Sequence, residues 1–127
     1  MPWSANFEKE TDILITILDG ICTLEDVQNA ILYSLDFSRE NGTKLFLVDC
    51  IKFQPVDTTP IVNAYSLGQF YEDNKVSHKI REAIVVPDNE YIKQNLQFFE
   101  TTAVNRGYNV KTFESMVKAR SWLLQKS

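Results

Sequence analysis

Lys44-Leu45-Phe46-Leu47-Val48-Asp49 is an apolar run held between two charges. Leucine, phenylalanine and valine without alternation predict a strand buried on both faces, the mark of a parallel sheet. Ala83-Ile84-Val85-Val86, closed by Pro87, has the same character. Asp12-Ile13-Leu14-Ile15-Thr16-Ile17-Leu18 is rich in branched aliphatics and predicts a further strand, with Asp19-Gly20 as a turn after it. Asn6 to Lys9 is placed as an edge strand paired with that run in a hairpin.

Helical spacing fills the gaps. Leu24, Val27, Ile31 and Leu35 recur at intervals of three and four, one face of a helix. Thr23 precedes that face and suits an N-cap, Glu25 and Asp26 suit the positive helix end, and Asn41-Gly42 suits a stop. Pro60 fits the first turn of a second helix reaching Asp73. Asp88 is the expected cap of a third, with Ile92, Leu96, Phe99 and Ala103 inward and Gly107 at its end. Asn109 to Phe113 is a short strand, and Met116, Ala119 and Leu123 mark the inner side of a final helix. Buried strands joined by helices imply parallel pairing with right-handed crossovers. The fold class is α/β: a mostly parallel sheet of four or five strands, an N-terminal antiparallel hairpin and four helices. Residues 1–127 read as one domain.

The chain has 127 residues and a formal charge of −4, without the basic excess that marks nucleic-acid binders. No apolar stretch reaches the roughly 20 residues of a membrane span. Met1-Pro2-Trp3 leads into polar residues rather than a secretory core, so the expected location is cytoplasmic. Cys22 and Cys50 lack metal-ligand spacing and read as reduced, half-buried thiols. No metal or cofactor is expected.

Three segments resemble the STAS domain, the fold of bacterial anti-sigma-factor antagonists and of sulfate-transporter tails. They are Leu47-Val48-Asp49-Cys50 with Phe53 and Asp57-Thr58-Thr59-Pro60-Ile61; Ala83-Ile84-Val85-Val86-Pro87; and Val110-Lys111-Thr112-Phe113-Glu114-Ser115 with Ala119, Trp122 and Leu123. The last pattern is similar to that of divergent, mostly uncharacterised STAS-like proteins. In antagonists a strand of this type leads to Asp-Ser-Ser-Gly at the next helix. The resemblance therefore places Thr59 at the phosphorylated serine, with Pro60 in place of the glycine. It implies a non-enzymatic regulatory module that binds a protein partner or its own copy.

Asp57, Thr58 and Thr59 have three readings: a helix cap, a phosphorylation switch, or an anion site at free helix amides. Asp49 at a strand end would hold a ligand or bond loop amides. Tyr65, Phe70 or Tyr71 is expected at least partly exposed on the second helix, as a partner contact, with Tyr65 and Tyr71 flanking an inward stripe of Ile61, Ala64 and Gly68 and Phe70 toward the opposite face. Phe98 and Phe99 cannot both face inward, since neighbours on a helix stand about 100° apart. His78, among Lys75, Lys79 and Arg81, reads as part of a solvated loop. The alternative function is a carrier of a small apolar ligand or lipid, sharing architecture with CRAL-TRIO domains, with a pocket lined by Phe53, Phe70 and Phe99.

Overall fold

The computed structural model describes residues 2–56 and 60–125. Its elements run β1 (Trp3–Glu8), β2 (Ile13–Cys22), α1 (Leu24–Asn41), β3 (Leu45–Pro55), α2 (Pro60–Asp73), β4 (Arg81–Val85), α3 (Glu90–Asn105), β5 (Asn109–Phe113) and α4 (Met116–Leu124). The sheet order is β1-β2-β3-β4-β5, with β1 antiparallel to β2 and every later pairing parallel.

This order dictates the layers. The parallel strands advance across the sheet in one direction. Right-handed crossovers must then put every connecting helix on the same face. Accordingly α1, α2 and α3 bury Ala30, Leu35, Ala64, Tyr71, Phe99 and Ala103 against Leu14, Leu18, Phe46, Cys50, Ile84 and Val110. The last helix, α4, connects to no further strand among the described residues and takes the other face. There Ala119 and Leu123 pack on Ile13, Ile15, Leu47, Ala83 and Val85.

Local signals account for most helix ends. Thr23 and Asp26 form a reciprocal capping box, with hydrogen bonds of 3.0 and 2.9 Å. Gly42 closes α1 in the left-handed conformation, φ +73°. The α3 cap is Asn89 rather than Asp88: its Oδ1 accepts the Ile92 amide at 3.0 Å. Ser115 caps α4 in the same way.

Four strands, β1 to β4, are longer than the sequence reading gave, β2 and β3 by the most. Asp19-Gly20 is not a turn but lies inside β2, where the register with β3 shifts between Ile17 and Asp19. At the shift Leu18 alone stands against Cys50 and Ile51, a bulge on the β3 side, and Gly20, with φ +85°, follows it on β2. Pairing then resumes from Asp19↔Lys52 to Cys22↔Pro55. Asp49 therefore sits within β3 rather than at its end.

Two arginines fasten α4. Arg81 donates to the carbonyls of Trp122 and Gln125, the helix's C-terminal groups, and its guanidinium lies 4.5 Å from the Trp122 ring centre. Arg120 grips Glu8 with two hydrogen bonds of 2.7 and 2.5 Å, tying α4 to the end of β1. That guanidinium, with the Thr11 hydroxyl, holds the Glu8 carboxyl down at about 2.

Candidate ligand cavity

Gly68 sets the position of α2. A Cβ there would stand 2.9 Å from Arg106 Nε and 3.0 Å from Thr102 Cγ2. The missing side chain thus lets α2 lie close against α3. Arg106 reinforces the contact through Glu72 at 3.1 Å. At the far side, α1 packs on β1 and β2 and touches α2 only sparingly. Between α1, α2 and the sheet a cavity of about 140 Å3 remains.

Among the described residues its walls are mostly apolar. The sheet supplies Leu18, Phe46, Val48, Phe53 and Ile84, α1 supplies Val27, Ala30 and Ile31, and Ala64, Leu67, Leu96 and Phe99 come from α2 and α3. Small residues at 30 and 64 are what leave the room. Cys22 and Cys50 also line the space and are buried, not half-buried, and burial pushes both thiols up. Thr16 and Ser34 satisfy each other at 3.3 Å, while the Ser34 hydroxyl donates to the Ala30 carbonyl.

One charged residue shares this wall. Glu82 is 7% exposed and lies in register between Phe46 and Val110 on the three-helix face. The Tyr71 hydroxyl donates to Glu82 Oε1 at 2.7 Å. The Tyr71 ring meets those of Phe99 and Tyr108 edge-on, each at 5.5 Å. Burial raises the Glu82 carboxyl to about 7, against the lowering effect of the tyrosine hydroxyl. Burial also pushes the Tyr71 hydroxyl well up.

No known family matches this chain by sequence, and no curated protein matches it. A solved structure matches over nearly the whole length: an uncharacterised protein from the DUF3478 family with a SpoIIAA-like fold, from Shewanella loihica PV-4. The TM-score is 0.56 at 22% identity, over 95% of this chain and 93% of that one. The chain has a SpoIIAA-like fold. That fold is STAS-like, and the architecture read from the strand and helix order stands.

On this SpoIIAA-like frame the sequence-derived site residues separate. Asp57, Thr58 and Thr59 lie outside the described residues, as does the side chain of Ile61. Asp49 accepts the Ile51 amide at 3.0 Å, a local bond. Tyr65 is 62% exposed, with Arg106 5.1 Å from its ring centre. Phe70 is half-buried and does not line the cavity. Tyr71 is not at the margin of α2 but buried at 5% exposure. The inward stripe runs 64, 68, 71, and the tyrosine completes it. Phe53 and Phe99 line the cavity as expected, and Phe98 points outward while Phe99 is buried. His78 is exposed, yet it stacks on Tyr108 at 4.3 Å and its Nδ1–H donates to the Gly107 carbonyl. Glu82 was missed. Its signal was available: with Ile84 it alternates at a spacing of two, which puts both on one face of a strand.

Among the described residues no three acidic, histidine or cysteine side chains gather as metal ligands, and no helix is long and apolar enough to cross a membrane.

Proposed function

We propose that this chain is a non-enzymatic binding module that takes one small apolar molecule between α1, α2 and the sheet. The cavity supports this reading. At about 140 Å3 it falls well below the few hundred Å3 of sites for drug-sized ligands, and so below a lipid carrier's need. It is close to the volume of about 150 Å3 at which an apolar protein cavity accepts benzene, and it is partly open to solvent, which gives a ligand a way in. The ligand is therefore a single ring or a short hydrocarbon, and the CRAL-TRIO-like carrier reading narrows to that size. Titration calorimetry with toluene tests it. Saturable binding in the wild type, lost on Ala30→Leu, is the expected result. Equal binding by both proteins would sink the proposal.

Exposed Tyr65 favours a second reading, a regulatory protein–protein contact on α2. It follows Ala64 of the cavity wall, so ligand and partner would act through one helix. A homodimer is the simplest partner, and sedimentation velocity of the wild type beside Tyr65→Ser checks it. Thr58 and Thr59 precede the same helix. Phosphate there would add nearly two charges beside that surface, and mass spectrometry of the protein from cells would reveal it.

A further inference from the structure

Glu82 occupies a position that the packing assigns to an apolar side chain. Its lateral neighbours in the sheet are Phe46 and Val110, and an ionised carboxyl there loses water without gaining an ion pair. Among the described residues no lysine, arginine or histidine bridges to it. The titratable groups around it are Tyr71 on α2, Cys50 on β3 and, behind Tyr71, Tyr108 before β5, each shifted toward its neutral form. From α1 and α3 the cavity receives only uncharged polar groups, Ser34 and Asn95. Among the described residues that line this cavity, Glu82 is thus the only one with an ionisable carboxyl or a basic group.

We propose that Glu82 is the recognition group for a small organic cation, a primary amine on one ring or a short hydrocarbon chain, its ammonium on the carboxylate and its apolar body against Phe46 and Phe99. This rests on the cavity being a ligand site. Three features support it. An uncompensated carboxylate in a low-dielectric wall gains more from a cation than from any neutral ligand. Aromatic walls attract a cation as well as a hydrocarbon. The Tyr71 hydroxyl at 2.7 Å fixes one carboxylate oxygen, so the group is oriented before a ligand arrives.

Benzylamine and toluene, nearly equal in shape, form the test. Each is titrated into the wild type, Glu82→Gln and Tyr71→Phe by calorimetry at pH 8. The wild type should bind benzylamine at least about tenfold more tightly than toluene. Glu82→Gln should bind toluene unchanged and lose the amine preference. Tyr71→Phe, which keeps the carboxyl, should retain it. Below pH of about 7 the empty cavity's carboxyl takes a proton, so amine affinity should fall up to tenfold per pH unit while toluene affinity stays flat. Toluene binding with equal or weaker benzylamine binding overturns the cation proposal and leaves the cavity reading intact. So does a preference that survives Glu82→Gln. If neither probe binds, both readings fall.

Discussion

On one face of the sheet a single nine-residue helix, α4, seals Ile13, Leu47, Ala83 and Val85 almost completely from water. On the other, α1, α2 and α3 bring 18, 14 and 16 residues to bear and still leave a cavity. The amount of covering helix does not explain the difference. Ala83 and Ala119, both 0% exposed, let α4 settle close to the strands, and Leu123 fills the remaining volume. Opposite, the small residues do not meet one another. Gly68 draws α2 toward α3, and Ala30 and Ala64 face empty space. Small side chains close a gap where elements can converge on them and open one where a neighbouring helix holds them apart.

The largest effect expected from this contrast is on the sealed face. Leu123→Ala should lower the unfolding free energy by about 2–5 kcal/mol, read from the urea midpoint, because nothing nearby can collapse into the space. A loss well under 1 kcal/mol would show that this face is also loosely packed.

Carboxyls on the two sides should give opposite pH slopes. The folded pKa of Glu82 is raised from 4.5 to about 7, so the folded state holds the extra proton in that window. Stability should therefore fall as pH rises from 4.5 to 7, by a total on the order of 3 kcal/mol. The groups facing it, Tyr71, Cys50 and Tyr108, are pushed upward and do not titrate there. Glu82→Gln should flatten the slope, and chemical denaturation across that range would show it.

Overpacking should separate the faces next. Ala119→Leu is expected to cost about 1–3 kcal/mol, since it forces α4 off the sheet. Ala30→Leu has room to enter and should stay within about 0.5 kcal/mol of the wild type in thermal denaturation. Equal losses would mean that the cavity does not persist in solution.

The smallest expected effect belongs to the Arg120–Glu8 pair. Its partners are about a third and a quarter exposed, so solvent screening limits it to about 1 kcal/mol. Glu8 is held below its usual range, so this contribution is present above pH 4.5 and lost as pH falls toward 2. In Arg120→Ala that acid-side loss should shrink to the part that the Thr11 hydroxyl still supports.

What was legible in the residues follows the same division. Unbroken apolar runs at 44–49 and 83–86 announced a covered parallel sheet, because strand burial is written locally in the sequence. The caps at Thr23 and Gly42 were legible for the same reason. The cavity was only half legible. Phe53 and Phe99 were anticipated, but Phe70 was wrongly placed with them, and Tyr71 was put beside the inward stripe when it belongs to it. Lateral placement of α2 depends on a contact between Gly68 and residues 102 and 106, far along the chain. Glu82 stood just before a recognised strand and was left out, because its burial depends on register with Phe46 and Val110. Asp19-Gly20 read as a turn, although Gly20, with φ +85°, lies within β2 and pairs with Phe53.

Intermolecular nuclear Overhauser effects between toluene ring protons and the assigned methyl groups of the wild-type protein test the cavity most directly. Contacts to Leu18, Val27, Ile31 and Ile84, with none to Ile13, Val85 or Leu123, are the expected result. Contacts confined to exposed Ile21, Val104 or Val117, or none at all in saturated solution, would contradict it.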